Sequence, residues 1–373
     1  MAERLLHTPD GVRDIYGVEY ERKQWVEEAI GRRFRSFGYR GIQTPTFEYF
    51  DVFSREIGTT PSKDLFKMMD GKGDTLVLRP DFTPGVARSA AKYFGDDDGP
   101  LRFCYLGNTY VNRSSLQGKM RETTEMGVEL IGDGAVDADA ETVALAVESL
   151  LAVGLQRFQI SIGQVEYFKG MCAAAGIAEE TEWKLRDLVA AKNIFGVERL
   201  LDEAGMDAEH RERLIQIGDL LGSYEILQRA ADEADNPRSR AAVARLRELY
   251  QLLCLYGVEK YVAFDLGMLS QYNYYTGIIF KCYAYGVGDV IAKGGRYDNL
   301  LARFGKAAPA VGFGLVVDDL LVALARQKAV IPDGCVHRIK YDEDGFEAAL
   351  ATAHEMRRAG ERVILDRRRE ENF

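Results

Sequence analysis

Two long segments, LRFCYLGNTYVNR at 101–113 and KMRETTEMGVELIG at 119–132, alternate apolar and polar residues on either side of the short run SSLQG. That period of two describes an antiparallel hairpin with a loop at its tip, and strands paired in this way need no crossover helix. Other segments have the same character. GIQTPTFEYFDVF reads as a strand with a Pro-limited turn, and DTLVLRPDFT as a strand ending in a loop at Arg79 to Thr83. RFQISIGQ, YVAFDLG, YYTGIIFKCYAY and DVIAKGGRYDNLL follow as further strands, and in AVGFGLVVDDLLVALA a Gly-punctuated strand runs into a helix.

Helical patterns frame and interrupt these strands. From Glu21 to Phe37, apolar Trp25, Ala29, Phe34 and Phe37 recur at helical spacing, and Gly38 closes the helix. Asp139 to Val153 is a second helical stretch, and about Tyr167 to Tyr256 is helical throughout, rich in Ala, Leu, Glu and Arg. We therefore expect a core over 1–325 interrupted by an all-helical insertion at about 167–256, then a partial α/β unit of strand, helix and strand at 333–373.

Composition narrows the function. The chain has 58 acidic against 48 basic residues among 373, a formal charge of -10, which argues against a general nucleic-acid coat or an anionic-membrane binder. Cys104, Cys172, Cys254, Cys282 and Cys335 are scattered without any C-x-x-C, so they read as reduced thiols of a cytoplasmic protein, not as a zinc site or disulfide framework. No secretory signal opens the chain, and apolar runs such as VALAVESLLAVGL are interrupted by Glu148 and too short to span a bilayer. G-x-G-x-x-G after a strand, G-x-x-x-x-G-K-[ST], H-E-x-x-H and G-x-S-x-G are all missing, and His7, His210, His337 and His354 are far apart. No metal site and no histidine-centred catalysis is expected.

What remains is a set of polar residues on expected antiparallel strands: Arg79, Asp81 and Thr83; Arg121, Glu125 and Glu129; Tyr274, Tyr275 and Thr276; Arg296, Tyr297 and Asp298. Glu125, Gly127 and Glu129 stand at i, i+2 and i+4, so both carboxylates share a strand face with the glycine that leaves space between them. Two acids on one face call for a cation or for hydrogen-bond donors; a solvated face with salt bridges to Arg79 and Arg121 would answer the same spacing. The Tyr274-Tyr275 pair fits ordinary strand packing or a ligand platform. GGRYD fits a bulge with an Arg-Asp pair, or glycines that let a ligand approach the backbone.

LVLRPDFTPGVAR, the hairpin, YYTGIIF, GGRYDNLL and AVGFGLVVDDLLVAL occur in the order and spacing of the class II histidyl-tRNA synthetase catalytic core, which the chain resembles over roughly residues 5–325. Five ordered segments make the resemblance specific. It implies an α+β fold, a six- or seven-stranded antiparallel sheet flanked by helices, that dimerises through the first helix and the strand around Thr44-Pro45. It also implies a histidine pocket: Asp81 and Thr83 for the ammonium, Glu129 and Tyr275 with Tyr274 near the imidazole, Tyr297 in the wall, and Glu125 where the synthetases have Gln.

The adenylation half departs from that pattern. Where the synthetases carry [FY]-R-x-E, Tyr110 is followed by Val111, with Arg113 at the Glu position; where they carry R-G-L-D-Y-Y, the segment begins at Ser270; and Asp319 stands where an Arg clamps the γ-phosphate. Losing one preorganised cation from such a transition state costs ~3 kcal/mol or more, so three losses should abolish adenylation. A kept amino-acid half beside a lost phosphate half resembles the regulatory subunits of ATP phosphoribosyltransferase, and DLGMLSQYNYYTGIIFKCYAYGVGD is close to that family's version. That resemblance implies no catalytic residue and no cofactor. It implies a homodimer within a hetero-octamer, a short-form catalytic subunit as partner, L-histidine as feedback effector, and no membrane or tRNA partner. The alternative is an active histidyl-tRNA synthetase in which Arg113 and Arg121 replace the missing cations. A third reading, a binder of uncharged tRNA, would need a basic surface, and Arg32-Arg33, Arg357-Arg358 and Arg367 to Arg369 are more simply solvated helix faces and a tail.

Overall fold

A computed structural model describes residues 6–53, 60–95, 99–113, 119–269, 274–332 and 336–367. The chain begins with α1 (Gly17–Ser36), β1 (Arg40–Gly41), β2 (Phe47–Tyr49), β3 (Lys67–Met69), β4 (Thr75–Leu78) and α2 (Thr83–Tyr93). The hairpin β5 (Leu101–Tyr110) and β6 (Glu122–Ile131) follows, then α3 (Val136–Ala152) and β7 (Phe158–Gln164). The helical stretch contains α4 (Val165–Ala174), α5 (Glu179–Ala190), α6 (Ile194–Glu203), α7 (Ala208–Gln216), the two-residue β8 (Leu221–Gly222), α8 (Ile226–Glu233) and α9 (Pro237–Tyr256). After it come β9 (Val262–Asp265), β10 (Ile278–Ala284), β11 (Val290–Arg296), β12 (Ala310–Val316), α10 (Val317–Arg326), β13 (Val336–Tyr341), α11 (Phe346–Arg358) and β14 (Arg362–Arg367).

Two units are distinguished, Met1–Asp14 with Val26–Ala329, and Ile15–Trp25 with Val330–Phe373. In the smaller one, β13 and β14 pair in parallel around α11, and Arg362 bonds Glu21 of α1 at 2.7 Å. The larger contains a nine-stranded sheet in the order β1-β5-β6-β12-β11-β10-β7-β9-β8. Its six central strands, β5 to β7 in that order, are antiparallel throughout. The sheet becomes mixed only outside them, where β1 joins β5 and β9 joins β7 in parallel. The β7–β9 pairing follows from the helical stretch, because parallel neighbours need a crossover of a dozen or more residues and α4 to α9 supply one.

Local chemistry explains the element ends. The Asn236 side chain caps α9 by accepting from the Ser239 amide at 2.8 Å, Pro237 occupies the first turn, and Gly257 ends the helix at φ +70°. Gly38 similarly stops α1 at φ +82°. The segment from Gly41 to Phe53, expected as a strand with a Pro-limited turn, divides around Pro45, which lacks the amide that a ladder needs, into β1 and β2, and ends in a 3-10 turn at Phe50–Phe53. β2, β4 and β3 form a separate three-stranded sheet over Val52, Phe53, Leu65 and Val77.

β6 and β12, in the middle of the sheet, bury both faces. On one side Phe313 of β12 meets Phe34 of α1 edge to face with ring centroids 5.8 Å apart. On the other, Phe82, Val86, Ala87 and Ala90 at the start of α2 join Phe103, Tyr105, Ile279 and Tyr297 in one apolar cluster. A buried ion pair fixes the far end of the sheet. Arg296, at the end of β11, bonds Asp139 of α3 at 2.7 Å and donates to the carbonyls of Asp133 and Ala135, while Arg245 of α9 reaches the other Asp139 oxygen at 2.6 Å. The Asp139 and Arg296 side chains are 0% and 3% exposed. Among the described residues, no helix is long and apolar enough to cross a membrane.

Breaking a buried pair strands an uncompensated charge, whereas a half-exposed pair contributes little. Arg296→Met leaves the buried Asp139 carboxylate with Arg245 alone, and should cost up to about 3–5 kcal/mol in urea unfolding. Arg238→Met, which breaks the exposed pair with Glu166, should cost less than about 1 kcal/mol.

Candidate functional site

Along β6, Glu125, Gly127 and Glu129 alternate with Met126 and Val128, and the hairpin register sets Gly107, Tyr105 and Phe103 opposite them on β5. On the other side β12 presents Val316, Gly314 and Gly312 to the same three positions. Gly314 in turn faces Lys293 of β11, and Gly312 faces Gly295. The result is a patch of sheet with almost no side chains. A methyl group on Gly312 would coincide with the Glu129 carboxylate, and one on Gly314 would strike the Glu125 carboxylate. Both glutamates therefore lie across glycine backbone, where longer residues could not be accommodated.

This patch is the floor of a cavity of about 300 Å³. Asp81, Thr83, Glu125, Glu129, Tyr274, Tyr275 and Tyr297, the seven residues expected from the sequence, all line it. Only Glu125 and Glu129 sit within a strand. Asp81 lies between β4 and α2, Thr83 is the first residue of α2, Tyr274 and Tyr275 precede β10, and Tyr297 follows β11. The expectation that the tyrosine pair belongs to a strand is thus corrected: the two lie just outside the ladder, free of its alternation, so both side chains line the same cavity.

Hydrogen bonds and rings order the walls. Asp81 accepts from the Thr83 amide at 3.0 Å, the turn that starts α2, and the Thr83 hydroxyl donates to Glu129 at 2.7 Å. The Tyr297 hydroxyl donates to the other Glu129 oxygen, and Tyr105 donates to Glu125 at 3.3 Å. Tyr274 packs against Tyr275 at 4.5 Å and edge-on to Tyr297 at 5.8 Å. Arg79 and Arg121 do not pair with the glutamates. Arg79 donates to the carbonyls of Asn108 and Thr44 and lies over the Phe82 ring, and Arg121 donates to the carbonyl of Arg113. The solvated, salt-bridged face is therefore not what forms; Glu125 is 8% exposed and Glu129 is 1% exposed. In GGRYD the Arg-Asp pair forms, Arg296 to Asp298 at 3.1 Å, without a bulge in the β11–β12 ladder, and the Tyr275 ring packs against Gly295.

Burial pushes the Glu129 carboxyl up to about 8 against the pull of Tyr297 and Thr83. Glu125 rises to about 7, by burial first and by Asp81 next, with Lys293 opposing. Burial also drives the Tyr105 and Tyr297 hydroxyls well above their ordinary range, so both remain donors. Three carboxylates thus converge among tyrosine rings in a partly desolvated space. Such a site suits a small cation with a flat ring, since the acids supply charge and the aromatic faces supply contact. Among the described residues, no group of three or more His, Cys, Asp or Glu is placed to hold a metal ion.

The sequence reading missed Tyr105, Lys293, Gly312, Phe313 and Gly314, which also line the cavity. Tyr105 was recoverable from the hairpin register, since it faces Gly127. The β12 and β11 residues required the strand order. Toward the start of α10 the surroundings are acidic: Asp318 accepts from the Thr124 amide at 2.7 Å, and the Asp319 carboxyl is raised by burial and then by Asp289 and Asp318. Val111 and Arg113 lie just beyond β5, with the Val111 amide on the Arg121 carbonyl. Ser270 lies outside the described residues.

A family model described as histidyl-tRNA synthetase matches residues 11–320. An ATP phosphoribosyltransferase regulatory subunit of Acetivibrio thermocellus is 40% identical over 98% of this chain and 88% of its own. One of Ruminiclostridium cellulolyticum is 41% identical over 87% and 78%. Among solved structures, an ATP phosphoribosyltransferase regulatory subunit/histidyl-tRNA synthetase from Bacillus halodurans superposes with a TM-score of 0.89 at 31% identity, covering 99% of this chain and 94% of that one. Histidyl-tRNA synthetase from Nostoc sp. PCC 7120 shares the fold, with a TM-score of 0.84 at 19% identity over 98% and 87%.

The raised carboxyls make stability depend on pH. Below the ordinary carboxyl range near ~4 both states are protonated; as pH rises the unfolded chain ionises first, so stability is lost until the folded groups ionise near ~8. Glu129→Gln removes one such group and keeps its shape. Its urea midpoint should exceed that of the unsubstituted protein by more at about pH 8 than at about pH 5.

Proposed function

Because the chain belongs to the ATP phosphoribosyltransferase regulatory subunit family, on the histidyl-tRNA synthetase fold, we propose that it senses L-histidine and carries no catalysis of its own. The names of its relatives support a regulatory role in the first step of histidine biosynthesis. The finer reading is ours: a cytoplasmic homodimer joins a short-form catalytic subunit in a hetero-octamer, activates it, and transmits inhibition when histidine occupies the Glu129 cavity.

The observation that carries this reading is the convergence of Asp81, Glu125 and Glu129 with Tyr274, Tyr275 and Tyr297 on one glycine floor. Histidine brings an ammonium group and an imidazole, both of which can be cationic. The acids and rings answer both, and Thr83 and Tyr297 hold Glu129 in place for one of them. Support for the lack of catalysis comes from the phosphate side. Adenylation needs preorganised cations where charge develops. Val111 and Ser270 are uncharged, and Asp319 adds an acid beside Asp318 and Asp289, where Lys119 already pairs with Asp289 at 2.7 Å. Transmission to the partner is a coupling free energy, so the catalytic subunit must alter histidine affinity as much as histidine alters its state.

The second reading, a working histidyl-tRNA synthetase, draws on the shared fold and on Arg113 and Lys119 near Asp319. Histidine-dependent exchange of labelled pyrophosphate into ATP separates the two. No exchange, beside an active synthetase control, is the outcome expected here, and robust exchange would establish the synthetase instead. In calorimetric titration the protein should bind L-histidine. Glu129→Ala and Tyr275→Ala should each weaken that binding about tenfold or more, the scale of a charge-assisted contact, with unfolding still cooperative. Unchanged affinity in both would remove the pocket assignment.

A further inference from the structure

Charge is distributed unevenly over the cavity. Of its charged lining residues Asp81, Glu125 and Glu129 are acids, and Lys293 is the one base among the described residues. An amino acid brings a carboxylate as well as its cationic groups. Desolvated among acidic groups, that carboxylate is best placed next to a cation.

The ladder fixes where such a cation can act. Lys293 faces Gly314 on β12, and Gly314 faces Gly127 on β6, so this row is bare backbone on one side of the lysine. The Glu125 carboxylate lies over Gly314, and its ionisation is favoured by Lys293. The parallel row through Glu129, Gly312 and Gly295 is two residues along the strands, about 7 Å away. On the other flank Lys293 faces Lys281 of β10, a half-buried residue whose ammonium form is disfavoured by burial and by Lys293 itself, with Asp265 opposing. Lys293 is thus the cationic group of this row of the cavity, with Lys281 next to it across the β10–β11 ladder.

We infer that Lys293 anchors the carboxylate of the bound amino acid, with the imidazole end toward Glu129, so that this residue makes the cavity select an α-amino acid over the corresponding amine. The inference rests on the histidine reading above. In this arrangement Glu125, whose ionised form Lys293 favours, meets the ligand's ammonium group, and the ligand's carboxylate meets the lysine. No covalent bond is made or broken.

The test is calorimetric titration of L-histidine, L-histidinol and histamine into the full-length protein and into Lys293→Met and Lys293→Arg, with urea midpoints to confirm folding. The unsubstituted protein should prefer L-histidine to histamine and to histidinol by about tenfold or more. Lys293→Met should lose about that factor for L-histidine while histamine binding stays within about twofold, and Lys293→Arg should restore part of the preference. Equal weakening of all three ligands, or a preference that survives in Lys293→Met, overturns the lysine assignment and leaves the histidine reading standing. If the unsubstituted protein binds no L-histidine, the histidine reading falls and the lysine assignment falls with it.

Discussion

Glu125 and Glu129 can lie flat on the sheet only because Gly312, which faces Glu129 on β12, and Gly314, which faces Gly127 between them, have no side chain. Any Cβ at Gly312 or Gly314 would occupy the space of a carboxylate, and one at Gly127 would strike the Tyr105 hydroxyl. The cavity exists as the volume those missing side chains leave. Its shape follows from three neighbouring strands that must stay in register, since a slip by one residue would turn the glutamates to the opposite face and set Phe313 or Leu315 in place of glycine. The chemistry is therefore inseparable from the ladder.

The register is secured away from the cavity. Arg296 ends β11 and is tied to Asp139, to two carbonyls before α3 and, through Asp139, to Arg245 of α9. The tie holds the end of β11 directly before Tyr297, whose hydroxyl meets Glu129. On the opposite edge Arg79 holds the chain by donating to Thr44 and Asn108, two residues before Asp81 and four before Thr83. Arg79 and Arg296 position the walls of the cavity through backbone carbonyls and Asp139. Glu125 and Glu129 consequently remain the groups whose protonation state answers to a ligand.

Much of the fold was legible because its signals are local. The hairpin β5–β6 was readable from period-two alternation, and α1 from its apolar spacing and the Gly38 stop. The segment from Gly41 to Phe53 was less so: Pro45 marked the break, but β-rich composition does not reveal that the second half ends in a 3-10 turn. The parallel edges of the sheet also escaped the reading, since they depend on where the crossover through α4 to α9 returns the chain. In the site, Glu125 and Glu129 followed from spacing within one strand. Asp81, Thr83, Tyr274, Tyr275 and Tyr297 came through the family's motif order, and the structure brings them to one cavity although each lies beyond a strand end.

By itself the sequence determined which residues share a face of one strand and where helices start and stop. These are properties of neighbours along the chain, where periodicity and residue identity suffice. Only the tertiary structure decided that Gly312 lies beneath Glu129, that Lys293 enters the row of Gly314 and Gly127, and that Arg79 turns away from the acids to the backbone. Each of those depends on pairing between segments far apart in sequence. Such pairing is selected by burial of the whole sheet, and no local pattern in any one strand specifies it.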